Sequence, residues 1–202
     1  MTMDSIDFWF SVGSTYSYLT IMRLEDVERE TGIRFEWRPF SVRKIMVEMD
    51  NIPFSEKPVK AAYMWRDIER RASSYELPVK VPAPYPLREF DLANKVAIIG
   101  RNEGWCADYV RATYRRWFQQ GLPAGSEPNL SQSLIEIGQD PGRVISKVSE
   151  HETRNAYFAA TDEARALGVF GAPTFVVGRE VFWGDDRLED AVDWHRTYVE
   201  AG

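Results

Sequence analysis

Strand-like sequence is confined to the two ends of this 202-residue chain. Near the start, 6-IDFWFS-11 and 33-IRFEWRPF-40 have the aromatic content and alternation of strands. Near the end, 174-TFVVG-178 and 180-EVFWG-184 have the pattern of two short strands in a hairpin. From about residue 42 to 168, apolar residues instead recur every three or four positions, which is typical of helices. The α/β parts therefore lie at the two ends, with a helical insertion between them.

The segment between the first two strands, 14-STYSYLTIMRLEDVERETG-32, is predicted to form one helix. Ser14 would lie near its N-cap, and Gly32 would end it. A connection of this length usually makes the two strands parallel. A last helix over 187–200 follows the hairpin, with Asp185 or Asp186 as its cap.

The order strand, helix, strand, hairpin, helix is that of a thioredoxin fold whose middle crossover has been replaced. We therefore predict an α/β, thioredoxin-like fold with a large all-helical insertion. Residues 1–41 and 169–202 would form the thioredoxin-like domain, and 42–168 the insertion domain. Within the insertion, 58–78 has one apolar face, and the four prolines of 78-PVKVPAPYP-86 predict an extended loop. Further helices are predicted over 88–103, 106–120, 130–138, 141–151 and 153–167.

Charge and cysteine content exclude several classes of function. The formal net charge of −6 argues against a nucleic-acid partner, because phosphate binding favours a basic protein. Cys106 is the only cysteine, so an intramolecular disulfide, a CxxC redox couple and a cysteine-rich metal site are excluded. His151 and His195 do not have metal-ligand spacing, and we expect both on helix surfaces and no metal.

No signal-peptide pattern occurs at the N-terminus, and no segment approaches the roughly 20 apolar residues of a spanning helix. The sequence therefore predicts a cytoplasmic protein without a membrane partner.

Ser14 has two possible roles. Alone, its position favours a helix N-cap, where its hydroxyl would accept a backbone N–H. In a thioredoxin-like fold, however, the first helix begins where a reactive thiol usually lies, because the helix N-terminus stabilises a thiolate. Here the four positions are Ser-Thr-Tyr-Ser. A serine cannot exchange disulfides, but it can donate a hydrogen bond to a sulfur anion brought by another molecule.

Three further features have a structural and a functional interpretation. A single Ala172-Pro173 bond is expected to be trans, whereas a cis bond would expose backbone groups to an extended, peptide-like ligand. Asp185 and Asp186 would cap the last helix or bind an ammonium group. Lys60 would be solvated or would bind a carboxylate. For each, the residues alone favour the structural role.

Taken together, these features resemble the 2-hydroxychromene-2-carboxylate isomerase family, which is close to the kappa-class glutathione transferases among thioredoxin-fold proteins. The resemblance covers essentially the whole chain. It is carried by 14-STYSYL-19, 58-PVKAAYMWRDIERRA-72, 169-VFGAPTF-175 and 182-FWGDDRL-188.

The resemblance implies a glutathione-dependent isomerase that adds a thiolate reversibly to a conjugated aromatic keto acid. Ser14 would hydrogen-bond the glutathione sulfur, and Lys60 would contact a glutathione carboxylate. The backbone of Ala172, before a cis Pro173, would pair with the cysteinyl unit. The γ-glutamyl end would be held by Asp185 and Asp186. The family also implies a homodimer.

Two positions depart from the family's pattern. Thr15 stands where a proline is frequent, and 53-PFSEKP-58 has no counterpart of an asparagine that some members carry ahead of the lysine. Two other functions are therefore retained: a kappa-like glutathione transferase, and a thioredoxin-fold protein that binds a peptide or a partner without catalysis. The aromatic side chains Tyr16, Trp65 and Tyr85 are candidates for packing a flat aromatic substrate.

Overall fold

A four-stranded mixed sheet joins the two ends of the chain in the order β2-β1-β3-β4. The computed structural model describes residues 5–51, 54 and 57–200, with side chains as far as 197. The strands are β1 (Ser5–Phe10), β2 (Arg34–Pro39), β3 (Thr174–Val177) and β4 (Glu180–Trp183). All four strand predictions are confirmed to within one residue at each end.

The pairing of the strands agrees with the predicted topology. β1 and β2 are parallel, and Phe8 lies opposite Trp37. β3 is antiparallel to both β1 and β4, and Phe8 lies opposite Phe175 on β3. Phe8 thereby stacks on Phe175 at a ring-centroid distance of 5.6 Å and meets the edge of Trp37 at 5.1 Å. These cross-strand aromatic contacts fix the register at the centre of the sheet.

The predicted helix over 14–32 is instead two helices, α1 (Ser17–Ile21) and α2 (Leu24–Thr31). The break follows from a tighter turn, because the Arg23 N–H bonds the Thr20 carbonyl three residues back. Ser14 precedes the first helix, whose N-cap is Tyr16 without a side-chain hydrogen bond. The N-cap prediction for Ser14 is therefore wrong. The C-cap is correct, since Gly32 ends α2 with a φ of 73°.

The insertion begins with a helix that the sequence prediction did not delimit, α3 (Val42–Glu48), capped by the Ser41 hydroxyl. The predicted helices of the insertion are present, and their ends differ by a few residues. They are α4 (Pro58–Ser74), α5 (Phe90–Glu103), α6 (Cys106–Arg115), α7 (Asn129–Glu136), α8 (Pro141–Val148) and α9 (His151–Ala166). A π-helical turn, Arg116–Gln120, extends α6.

The C-terminal helix begins differently from the prediction. A single 3-10 turn, Asp185–Arg187, leads into α10 (Leu188–Glu200). The N-cap of that turn is Gly184, and no side chain caps it. Neither Asp185 nor Asp186 is thus the predicted cap. His195 on α10 is buried, which corrects its predicted surface position, whereas His151 is exposed.

The largest hydrophobic core is shared by the sheet and the insertion. It joins strand residues such as Phe8 and Phe175 to insertion residues such as Met64, Ile68 and Tyr114. Because this core is shared, packing does not separate the thioredoxin-like part from the insertion. The predicted domain boundaries at residues 42 and 168 therefore stay a prediction. Across the residues with a described structure, every helix is too short or too polar to span a membrane.

Candidate functional site

The loop that carries Ser14 is held from the insertion. Asn94 on α5 is completely buried, accepts a hydrogen bond from the Val12 N–H at 2.8 Å and donates to the Val12 carbonyl at 2.9 Å. Its amide also donates to the Phe90 carbonyl at 2.8 Å. Next to Val12, Gly13 has a φ of 123°, and a Cβ there would lie 3.4 Å from the Phe90 Cβ. One amide thus fixes both the loop and the start of α5.

Tyr114 on α6 fixes the other half of the same loop. Its hydroxyl lies 3.0 Å from the Ser11 carbonyl and 2.9 Å from the Ser14 carbonyl. Burial raises the pKa of Tyr114, so its phenol remains a hydrogen-bond donor at neutral pH. The position of Ser14 therefore depends on residues far away in the sequence. Asn94 lies 82 residues after Val12, and Tyr114 lies 100 residues after Ser14.

The Ser14 side chain points toward the start of β3. Its hydroxyl donates to the Ala172 carbonyl at 2.7 Å, and the following Ala172–Pro173 bond is cis. The bond has the isomer that the resemblance implies, and not the trans isomer favoured for a single X–Pro bond. The Pro173 carbonyl in turn accepts from the Gly184 N–H at 2.9 Å. This network brings Ser14, the cis-proline and the segment before α10 together.

A cavity of about 350 Å³ opens beside this network. Its size lies in the range of small-molecule sites, and its wall is mostly apolar and aromatic. The polar and charged wall residues include Ser14, Asn51, Arg43 and Lys60, and the described part of the wall contains no carboxylate. The aromatic wall residues are Tyr16, Phe54, Tyr63, Tyr85, Phe90, Phe170 and Trp183.

Two aromatic side chains form the outer edge of the cavity. Phe170 and Trp183 are 38% and 54% exposed, and their rings meet at 4.8 Å. The indole of Trp183 lies over Gly171, where an added Cβ would be 2.2 Å from the Trp183 Nε1. Only a glycine allows this approach. Trp65, the third aromatic candidate with Tyr16 and Tyr85, lies behind Tyr85 at 6.0 Å.

Thr15 and Tyr16 attach this loop to α4. The Thr15 hydroxyl, where the family often has proline, donates to the Met64 Sδ at 3.0 Å and is buried. Tyr16 donates to the Asp67 carboxylate at 3.0 Å. Burial and this hydrogen bond both raise the pKa of Tyr16. Tyr16 is therefore a neutral wall residue and not a base at neutral pH.

Asp185 and Asp186 differ in their surroundings. The Asp185 side chain is only 3% exposed, and its Oδ2 lies 2.8 Å from the Arg71 Nη2 on α4. Asp186 is 48% exposed and lies 4.0 Å from the other Arg71 nitrogen. Neither carboxylate belongs to the described cavity wall, although both follow Trp183 and Gly184 directly. Arg71 was not singled out from the sequence, because an arginine in a charged helix face has no distinguishing pattern.

Burial of Asp185 predicts a pH-dependent contribution to stability. Burial, partly offset by Arg71, raises the pKa of Asp185 from 3.8 to about 6. The folded state thus binds this proton more tightly than the unfolded chain does. The stabilisation is fully present below pH 3.8 and is lost as the pH rises through about 6. As the pH rises from below 3.8 to above about 6, the free energy of unfolding of the wild type should therefore fall by up to roughly 3 kcal/mol relative to that of Asp185→Asn.

The measurement is urea unfolding of both proteins between about pH 3.5 and 7.5. Asp186→Asn is the matched control, because this neighbouring carboxylate is half exposed. A stability difference between wild type and Asp185→Asn that stays constant over this range would contradict the assigned burial effect.

Cys106 lies away from the cavity and is buried at the start of α6. Burial raises the pKa of its thiol far above neutral pH. We expect Cys106 to react at least about 100-fold more slowly with a thiol reagent in the native protein than in denaturant. We also expect Cys106→Ala to retain catalysis within about twofold. Rapid native labelling, or loss of activity in the well-folded variant, would show that the thiol takes part.

The predicted site residues thus occupy different positions. Ser14, Lys60 and Ala172 line one cavity, Pro173 supports its wall, and Asp185 and Asp186 lie beside it. Asn51 also lines the cavity, upstream of the segment 53–58 in which the sequence showed no amide. In that segment, Pro53, Ser55 and Glu56 lie outside the described residues.

Comparison with protein families gives a match over nearly the whole chain. The model described as a DSBA-like thioredoxin domain matches residues 5–193. The chain is 31% identical over 187 residues to a 2-hydroxychromene-2-carboxylate isomerase of Sphingobium xenophagum, which covers 92% of this chain and 94% of that protein. It is 23% identical to a glutathione S-transferase kappa 2 of Caenorhabditis elegans, over 94% of this chain and 90% of that protein.

The fold comparison agrees. A solved structure of 2-hydroxychromene-2-carboxylate isomerase superposes with a TM-score of 0.83 and 25% identity, and 98% of each chain is covered. The thioredoxin-like fold predicted from the order of elements is therefore confirmed.

Proposed function

This chain belongs to the DsbA-like thioredoxin family and to the 2-hydroxychromene-2-carboxylate isomerase family, and from that premise we propose that it is a glutathione-dependent isomerase. The proposed reaction is a cis–trans change in a conjugated aromatic keto acid. One observation carries the proposal: the Ser14 hydroxyl lies at the wall of an aromatic cavity, 2.7 Å from the carbonyl that precedes a cis-proline. The absence of a second cysteine excludes a CxxC mechanism in this chain.

The residues present fit glutathione by the chemistry of their donors. When bound, glutathione would supply the thiolate for a reversible addition to the double bond, and it would be regenerated. Ser14 would donate a hydrogen bond to the sulfur, and the backbone of Ala172 beside Pro173 would pair with the cysteinyl unit. Lys60, whose Nζ lies 5.8 Å from the Phe54 ring, is placed at the cavity for a carboxylate of glutathione.

The ammonium group at the γ-glutamyl end would meet Asp185 and Asp186. Asp186 is the better exposed of the two, and Asp185 is paired with Arg71. We therefore assign the direct contact to Asp186 and a supporting role to Asp185. The aromatic wall excludes water from the reacting double bond and packs against the flat face of the substrate.

Ser14 changes partner when the sulfur arrives. In the ligand-free protein its hydroxyl donates to the neutral Ala172 carbonyl. A hydrogen bond to a neutral acceptor contributes about 1 kcal/mol, whereas one to a charged acceptor contributes about 1.5–3 kcal/mol. Reorientation of the hydroxyl toward a thiolate is therefore favourable. The same reorientation gains less with a neutral thiol, so Ser14 favours the ionised form.

Calorimetry and spectroscopy test the proposal in two steps. We expect glutathione to bind in the micromolar to millimolar range, and the bound thiol to have a lower pKa than the free one. We then expect 2-hydroxychromene-2-carboxylate and its open-chain trans isomer to interconvert only when glutathione is present. If glutathione does not bind, the cofactor assignment fails. If it binds and no interconversion follows, the isomerase assignment fails.

The kappa transferase similarity supports a second candidate function, in which glutathione stays attached to the product. Product analysis separates the two activities. A stable thioether formed with an electrophilic aryl substrate, without cis–trans interconversion, would favour the transferase. Binding of a peptide without any effect of glutathione would instead favour the non-catalytic role. We further propose that the protein acts in the cytoplasm and that it forms a homodimer. Light scattering after size exclusion would test the dimer by its molar mass.

A further inference from the structure

The described part of the cavity wall contains two cationic side chains, and the proposed glutathione contacts use only one of them. Lys60 lies at the start of α4, and Arg43 lies on α3. No ion pair joins Arg43 to a carboxylate in residues 5–51, 54 and 57–197, although many other arginines of the chain are paired. An unpaired cation in a wall without described carboxylates is available to an anionic ligand.

Each of the two cations lies over a different aromatic ring of the wall. The Arg43 guanidinium lies over the Phe90 ring, 5.4 Å from its centroid, and the Lys60 Nζ lies over the Phe54 ring at 5.8 Å. Tyr85 is near both of these pairs, since its ring meets the Phe54 ring at a centroid distance of 6.1 Å, and Arg43 partly lowers the pKa that burial of Tyr85 raises. Arg43 and Lys60 therefore belong to two different cation–ring pairs of the wall, and each can bind its own anionic group.

Phe90 also connects Arg43 to the Ser14 loop. Phe90 lies beside the loop, since a Cβ added at Gly13 would be 3.4 Å from the Phe90 Cβ, and the Phe90 carbonyl accepts from Asn94, which holds Val12. The Arg43 guanidinium is thus supported on a ring that packs directly against the loop of the proposed sulfur site. A planar guanidinium with parallel N–H donors matches a carboxylate, and its stacking on a ring limits its motion.

We propose that Arg43 binds the carboxylate of the substrate and makes the enzyme specific for 2-keto acids over the corresponding ketones. The assignment rests on the proposed function, because it places an aromatic enone acid in the same cavity as glutathione. Lys60 then binds the glutathione carboxylate, and Arg43 binds the substrate carboxylate. The aromatic ring of the substrate would pack between them, against Tyr85 and Phe90.

Unreactive ligands test this assignment without catalysis. 2-Oxo-4-phenylbutanoate and 4-phenylbutan-2-one lack the conjugated double bond, and they differ in having a carboxylate or a methyl group. With glutathione present, calorimetry should show that the wild type binds the keto acid at least about tenfold more tightly than the ketone. Arg43→Met should weaken keto acid binding by about 10- to 100-fold and ketone binding by less than about threefold. Arg43→Lys should retain part of the preference.

Lys44→Met is the matched control for charge. Lys44 is the next residue on α3, and its Nζ lies over Phe158 at 5.3 Å, outside the described cavity wall. This variant removes the same charge from the same helix and should change keto acid binding by less than about threefold. Equal losses in Arg43→Met and Lys44→Met would overturn the assignment, because they would indicate a general field effect.

The outcomes also separate this inference from the proposed function. Equal binding of the keto acid and the ketone to the wild type would overturn the role of Arg43 and would leave the proposed function standing. Loss of glutathione binding in Arg43→Met would overturn it as well, by placing Arg43 at the cofactor. Failure of the wild type to bind glutathione, with the keto acid preference intact, would overturn the proposed function and leave the carboxylate site standing. Thermal melting of each variant checks that it is folded.

Discussion

Ser14→Ala should lower the rate of glutathione-dependent isomerisation by about 100- to 1000-fold. The variant removes the donor proposed for the sulfur anion, and it leaves the Ala172 carbonyl without its hydrogen bond. The pKa of the bound thiol should rise, because a hydrogen bond to the charged form is lost. Glutathione binding itself should weaken less than the rate, since its other contacts remain. The thiolate absorbance of bound glutathione, followed against pH, measures this effect directly.

Ser17→Ala is the matched control. Ser17 is the second serine of the Ser-Thr-Tyr-Ser segment, but it is wholly buried in α1 and does not belong to the described cavity wall. We expect its removal to leave the thiol pKa unchanged. If Ser14→Ala binds glutathione with an unaltered thiol pKa, Ser14 does not stabilise the thiolate, even if the rate has fallen for another reason.

Asn94→Leu should destabilise the protein by about 3–5 kcal/mol and lower its melting temperature by on the order of 10 °C. The leucine side chain has the same number and branching of heavy atoms but makes no hydrogen bonds. It would leave the Val12 N–H and carbonyl and the Phe90 carbonyl without the partner that Asn94 now supplies. Each buried polar group without a partner costs about 1–3 kcal/mol. Thermal and urea unfolding measure the loss.

Two variants control for this prediction. Asn155→Leu changes an exposed asparagine of α9 whose amide nitrogen lies 3.0 Å from the His151 Nδ1, and it should alter stability by less than about 0.5 kcal/mol. Asn94→Asp keeps an acceptor for the Val12 N–H but loses both donated bonds. Its stability should therefore also fall. A wild-type melting temperature in Asn94→Leu would show that the loop finds other partners.

Local patterns predicted the sheet and most helices because each depends on neighbours in sequence. Alternation in β1 and β2, the hairpin at Gly178, and the stop at Gly32 are all short-range signals. The error at Ser14 has a different origin. A serine before a helix has the same local sequence pattern whether it caps the helix or points elsewhere. Here its hydroxyl donates a hydrogen bond to the Ala172 carbonyl, 158 residues away.

The candidate site depended still more on long-range contacts. Local patterns singled out Ser14, Lys60, Ala172 and the two aspartates, and the family resemblance gave them their proposed roles toward glutathione. The structure adds the residues that support them. Asn94 and Arg71 have ordinary helical surroundings in the sequence. Their partners, Val12 and Asp185, lie in the other part of the chain. Such pairs become visible only when the fold brings the two parts together.

The attachment of the Ser14 loop to Asn94 and Tyr114 has a consequence for protein engineering. A minimal thioredoxin made by excising the insertion would lose the amide and the phenol that shape its own active loop. A chimaera that receives a foreign insertion would need both groups at equivalent points in space. The insertion thus positions the Ser14 loop in addition to lining the cavity. An exchange of whole insertions that is meant to transfer substrate specificity must therefore also transfer the Asn94 amide and the Tyr114 phenol.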